Sequence, residues 1–149
     1  NAEKVSFVVV GGMAMVLHGS DHMTIYCDFA VATGPENKEP LVRAFSPLSP
    51  RPSHLANFKD FPWDSRSIFG NVISLVTDAG DVDLLRVLPG IDSFESLLAR
   101  SETRIVFGEP IQVACLEDLI EMKKAAGRPK DLVHLIELES LLSIRDLSE

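Results

Sequence analysis

Apolar positions along this chain alternate between unbroken runs, which suit buried strands, and runs spaced three or four apart, which suit helices. Phe7 to Val10 is unbroken and closes on Gly11-Gly12, so a strand buried on both faces is expected over Ser6 to Val10. Met13, Ala14, Val16 and Leu17 then recur at helical spacing, predicting a helix from Gly12 to His18 that stops at Gly19. A second strand is expected over Tyr26 to Ala32. Gly34-Pro35 breaks it, and Pro35 opens a helix carrying Leu41, Val42 and Phe45.

From Ser46 to Ser67 the pattern dissolves around prolines at 47, 50, 52 and 62, predicting a long loop pinned by Phe58, Phe61 and Trp63. A structureless stretch of that length inside a compact domain is usually functional or mobile. Order returns with strands over Asn71 to Thr77 and Asp81 to Leu85, joined at Ala79-Gly80 as a hairpin. A short helix capped by Ser93 runs to Ala99. A second hairpin pairs Thr103 to Phe107 with Ile111 to Ala114. The tail predicts a helical hairpin: Leu116 to Ala126 ends at Gly127, and Pro129 starts a helix to about Leu142. Strands and helices interleaved in this way imply an α/β or α+β arrangement, a mixed sheet with flanking helices.

Length and composition narrow the class. The 149 residues, 46% hydrophobic, suit one domain over 1–149 with a real core. No apolar run approaches a membrane span, so a soluble cytoplasmic protein is expected, with no membrane partner. Cys27 and Cys115 lack metal-ligand spacing and read as reduced thiols. A net charge of −8 excludes diffuse binding to phosphate backbones, so any nucleic acid is met through local contacts only.

The candidate chemistry lies in carboxylates and glycines. Asp28 projects from the middle of its strand, while Asp81 and Asp83 lie two apart and share a face. If the strands are neighbours, Asp28 and one of that pair converge on a cation, and hard oxygen ligands of this kind suit Mg²⁺. The plainer alternative leaves Asp81 in the turn after Gly80 and Asp28 as a solvated edge residue. Gly11-Gly12 between strand and helix presents backbone N–H groups where phosphate is favoured, or else is a tight turn that lets the helix pack close. Lys123 and Lys124 suit a helix C-terminus, yet Lys123 and Lys130 bracket a tight turn and could face an anion.

These segments carry a resemblance. Val9-Val10-Gly11-Gly12 followed by Tyr26-Cys27-Asp28-Phe29 resembles the signature of the polymerase-beta-like nucleotidyltransferase superfamily, a Gly-Gly strand end and then acid-apolar-acid-apolar. Gly34-Pro35-Glu36-Asn37, Gly80-Asp81-Val82-Asp83-Leu84-Leu85, Leu116-Glu117-Asp118-Leu119-Ile120 and the run from Lys123 to Asp131 extend the likeness over nearly the whole chain. It is similar to small stand-alone bacterial nucleotidyltransferase-like proteins related to the toxin of abortive-infection toxin–antitoxin pairs.

The resemblance implies a nucleotidyltransferase fold and a nucleoside triphosphate held with Mg²⁺. It also implies Gly11, Gly12, Thr24, Lys123, Arg128 and Lys130 on the nucleotide, and acids at 26, 28 and 83 on the metal, of which Asp28 and Asp83 are present; if Asp81 turned inward beside Asp83, the site would again have three acids. Two positions depart from the pattern: Tyr26 stands in place of the first acid, and His22 where relatives carry Arg. A phenol with a pKa of ~10 is a poor metal ligand, and neutral His loses the bidentate phosphate grip of Arg. The implied function is a nucleotidyltransferase-like protein with a degenerate metal site and little or no transfer, binding nucleotide or a protein partner through the cleft. The alternatives are an active Mg-dependent transferase using Asp28 and Asp83, and a non-enzymatic interaction module of toxin–antitoxin type.

Overall fold

The computed structural model describes residues 1–21 and 23–149. Among them seven strands form one mixed sheet: β1 (Phe7–Val10), β2 (Tyr26–Val31), β3 (Arg51–Pro52), β4 (Val72–Thr77), β5 (Gly80–Leu85), β6 (Glu102–Val106) and β7 (Glu109–Val113). Their order is β3-β4-β5-β2-β1-β7-β6. β2 runs parallel to β5 and β1 parallel to β7, while the other neighbours are antiparallel. Five α-helices flank it: α1 (Gly11–Leu17), α2 (Lys38–Phe45), α3 (Phe94–Arg100), α4 (Leu116–Ala126) and α5 (Pro129–Ser148). This is the mixed α+β arrangement that the interleaved pattern predicts.

The sheet has a core on each face. Val8, Val10, Ala30 and Val113 are buried with Ala14, Met15, Leu97, Leu119 and Leu138, which come from α1, α3, α4 and α5. On the other face Val31, Leu75 and Leu84 pack with Leu41 of α2 and with Ile68. The unbroken valines of β1 are explained by that sandwiching, because a central strand has no solvent face. Alternation along β2 does the rest. Ala30 and Val31 enter opposite cores, so Asp28, two residues before Ala30, points toward the side of α1, α4 and α5.

The two predicted hairpins form, and so does the helical hairpin at the tail. Gly127 ends α4 with φ +65, and Pro129 occupies the first turn of α5. Ser93 caps α3 by accepting from Ser96 N–H at 3.0 Å. The last helix runs to Ser148, one and a half turns beyond the expected Leu142, because Leu141 and Leu142 pack on the core and Arg145 ties the last turns to Glu117.

The long loop holds more structure than its sequence promised. Arg51-Pro52 pairs antiparallel with Leu75 and Val76 as an edge strand, where proline removes no needed donor. Arg51 is 7% exposed and donates to the carbonyls of Ala56 at 2.8 Å and Ser49 at 2.9 Å. Trp63 pins the segment as expected, donating Nε1–H to Val42 O at 3.0 Å and meeting Phe45 edge to face. Phe58 does not: it is 50% exposed and meets Phe61 edge to face. No helix among the described residues is long and apolar enough to cross a membrane.

Candidate functional site

The parallel pairing of β2 with β5 sets the site. Asp28 stands directly opposite Asp83, and Tyr26 opposite Asp81. Neighbouring strands lie about 4.8 Å apart, so two carboxylates are side by side on the face of α1, α4 and α5. Asp28 is therefore central rather than at an edge.

Next to them, α4 and α5 deliver the cations. Lys123, Arg128 and Lys130 line a cavity of about 420 Å³ together with Gly12, Thr24, Tyr26, Asp28, Asp83 and His134. Six of the residues that the resemblance puts on nucleotide or metal thus converge from five elements, α1, β2, β5, α4 and α5, and the turn between the last two, with Thr24 at the entry to β2 as a seventh. Gly11 lines the adjoining chamber with Asp28, Lys123 and Arg128. Asp81 stands apart, on the same face but outside the cavity lining. The expectation that it joins Asp28 and Asp83 is not met: among the described residues no three of His, Cys, Asp and Glu gather closely enough to hold a metal ion. His22 lies outside the described residues.

The glycine pair brings the strand-helix junction onto these groups. Gly11 has φ +66, and a β-carbon there would lie 2.4 Å from Asp28 Oδ2. At Gly12 a β-carbon would meet Thr24 at 3.1 Å. Thr24 is itself fixed, its hydroxyl accepting from Tyr26 N–H and donating to Tyr26 O, both at 3.2 Å. The start of α1 has neither a side-chain cap nor an acidic residue in its first turn.

Charge balance in the cavity is uneven. Burial, and then the neighbouring Asp83, push the Asp28 carboxyl above its ordinary range, while Lys123, Lys130 and Arg128 pull it back. Asp28 Oδ1 is buried without a hydrogen-bond partner among the described residues. An orphaned carboxylate oxygen beside a second carboxylate is the donor set a hard cation takes, with substrate phosphates and water completing its shell. Asp28 and Asp83 fit such an ion, and Tyr26 lines the same cavity.

Two residues that sequence reasoning passed over complete the site. Asp131 is fully buried and grips Arg128 through Nε–H at 2.7 Å and the backbone N–H at 3.0 Å, and Lys123 Nζ at 3.3 Å. Those contacts hold its carboxyl down at about 2. His134 lines the cavity one turn after Lys130. Its signal was the four-residue spacing from Lys130 on a predicted helix, and that of Asp131 was an acid three residues after a helix start.

Elsewhere the chemistry is thin. Burial raises both thiols, Cys115 to about 11, and both cysteines are free. A cavity of about 200 Å³ under α2, walled by Val5, Phe7, Phe29, Leu41 and Phe45, has no charged side chain in its lining.

No protein-family model matches the chain, and no curated protein matches it. A solved structure does: the crystal structure of a candidate nucleotidyltransferase from Thermotoga maritima is similar over 97% of this chain and 82% of that one, with a TM-score of 0.50 and 19% sequence identity. At that identity the likeness is one of fold, and the chain has a nucleotidyltransferase-like fold.

Proposed function

We propose that this chain binds a nucleoside triphosphate in the polar cavity, with a metal site reduced to Asp28 and Asp83 and with nucleotidyl transfer slow or lost. The observation that carries this reading is the parallel register of Asp28 with Asp83, facing Lys123, Arg128 and Lys130 across one cavity. Three cations facing one cavity, two of them aimed by Asp131, suit a polyphosphate whose charge a cation shares.

Mg²⁺ bound between the two carboxylates would neutralise phosphate charge and polarise the reacting phosphorus. The protein's own residues do the rest. Lys123 and Arg128, held by Asp131, supply fixed positive charge, and the Gly11-Gly12 junction lets the backbone approach Asp28 without an intervening side chain. Such transfer depends on positioning and charge neutralisation. A phenol at position 26 adds neither, so turnover falls by several powers of ten relative to a site with three carboxylates.

Calorimetric titration with a nucleoside triphosphate, with and without Mg²⁺, tests the reading, alongside a pyrophosphate-release assay. Mg²⁺-dependent binding with little or no release is expected. Rapid pyrophosphate release would mean a working transferase, and absence of binding would sink the nucleotide reading.

One observation favours a second role, a protein partner. Leu132, Val133 and Ile136 on one stretch of α5 are 56%, 66% and 68% exposed, an apolar patch beside the cavity helix that a partner would cover.

A further inference from the structure

A second chamber of about 420 Å³ adjoins the polar one and shares Asp28, Lys123 and Arg128 with it. Its character is different. Apart from those shared residues and Asp131, which grips Lys123 and Arg128, its walls are chiefly apolar, with Val72, Leu85, Val87, Leu119, Met122 and Ala126 around it and Asn71 among them. Val72 and Val87 remain 51% and 48% exposed, apolar surface that opens into a cleft rather than closing into the core.

The chamber is also held in shape. Gly90 has φ +87, and a β-carbon there would lie 2.5 Å from the carbonyl oxygen of Glu121 and 3.1 Å from Ala125 Cβ. The segment after β5 that contributes Val87 and Pro89 to the wall is therefore pressed against α4, which contributes Leu119, Met122, Ala125 and Ala126.

We propose that this chamber is the base-binding half of the nucleotide site, receiving the nucleobase of a nucleoside triphosphate whose phosphates occupy the polar cavity. The inference rests on the nucleotide reading above. A molecule spanning both chambers must be anionic where Lys123 and Arg128 face it and flat and apolar beyond Asp28, and a nucleotide has that polarity end to end. Met122 offers an adaptable, polarisable surface to a ring face. The Asn71 amide can both donate and accept, as the edge of a base requires. A wholly polar acceptor would leave the apolar walls unused.

The test compares inorganic tripolyphosphate with ATP, GTP, CTP and UTP, each titrated with Mg²⁺ into the full chain, its Ala126→Leu variant, which fills the chamber, and its Val87→Ser variant, which removes apolar wall. At least one nucleotide is expected to bind about tenfold or more tightly than tripolyphosphate. Both variants should erase that gain and leave tripolyphosphate affinity within about twofold. Thermal melts of the two variants, both altered at surface positions, verify that they fold. Tripolyphosphate binding with no gain from any nucleoside, or a gain that survives in both variants, overturns the chamber's role and leaves the polar cavity standing. Failure of tripolyphosphate and all four nucleotides to bind overturns both readings.

Discussion

Gly11 and Asp28 approach so closely that any side chain at position 11 would displace Asp28: an added β-carbon would lie 2.4 Å from Asp28 Oδ2 and 3.0 Å from its Cγ. Gly11 also sits at φ +66, in the left-handed region that side chains disfavour. The glycine pair thus does two things at once. It turns a buried strand into a helix, and it leaves the central carboxylate of the site uncovered.

Gly11→Ala is accordingly expected to cost about 3 kcal/mol, from backbone strain and forced displacement of the Asp28 side chain. In an Asp28→Ala background the same change should cost less, because the Oδ2 and Cγ contacts are gone and the strain remains. Urea unfolding of the four proteins measures this. Equal costs in both backgrounds would show that the contact with Asp28 contributes nothing.

Asp131→Asn should destabilise the protein by about 3 kcal/mol at neutral pH, since it breaks a buried pairing with Arg128 and Lys123. The sign with pH follows from the lowered carboxyl. Asp131 ionises at about 2 in the folded chain against an ordinary 3.8, so its contribution is complete above the ordinary value and lost as pH falls through about 2. Thermal melts of wild type and variant should therefore differ by a constant amount above pH ~5 and converge below pH ~4. A gap unchanged at pH ~2 would mean the contacts matter for packing rather than charge. Nucleotide affinity should fall as well, because Lys123 and Arg128 lose the group that aims them.

Most of this architecture was legible from periodicity, and the misses have physical causes. The valines of β1, the Ala79-Gly80 turn and the Gly127-Pro129 junction each carry a local signal strong enough to place an element. β3 carried none, being two residues long with a proline, and it exists because β4 offers it an edge. The pairing of Asp28 with Asp83 was legible only as a condition, that their strands be neighbours, since register between strands fifty residues apart is a tertiary fact. Asp81 fell away for the same reason. Spacing put it on the correct face, but register set it one step along, opposite Tyr26. Asp131 was hidden because an acid in the first turn of a helix is ordinary, and nothing in the sequence showed that it would be fully buried between two cations.

Asp28→Asn should stabilise the metal-free protein at pH 7 while abolishing Mg²⁺-dependent nucleotide binding. Burial and Asp83 raise this carboxyl, so the folded chain holds the proton to higher pH than the unfolded chain does. Stability then falls as pH rises from the ordinary carboxylate range through the raised value, and remains lower above it. The amide removes that penalty. Its melting temperature should exceed that of wild type at pH 7, with the gap closing below the ordinary range. A variant that melts lower than wild type at pH 7 would show that Asp28 is already satisfied within the fold.

Tyr26→Asp is the sharpest probe of the proposed reduced metal site. Tyr26 shares the face of Asp28, lines the same cavity and is 52% exposed, so its replacement should disturb packing by only about 0.5 kcal/mol. The chemical effect is larger. A third carboxylate beside Asp28 and Asp83 repels both without a cation and completes a hard-oxygen ligand set with one. The variant should melt below wild type in chelator and regain or exceed wild-type stability in Mg²⁺, a metal dependence that wild type should show only weakly. Its affinity for a nucleoside triphosphate should rise about tenfold with Mg²⁺ and change little without it, and the double variant with His22→Arg should gain further through a bidentate phosphate contact. If neither the single nor the double variant gains affinity by calorimetry, then Tyr26 is not what limits the site, and the account of a metal centre reduced by one carboxylate is wrong.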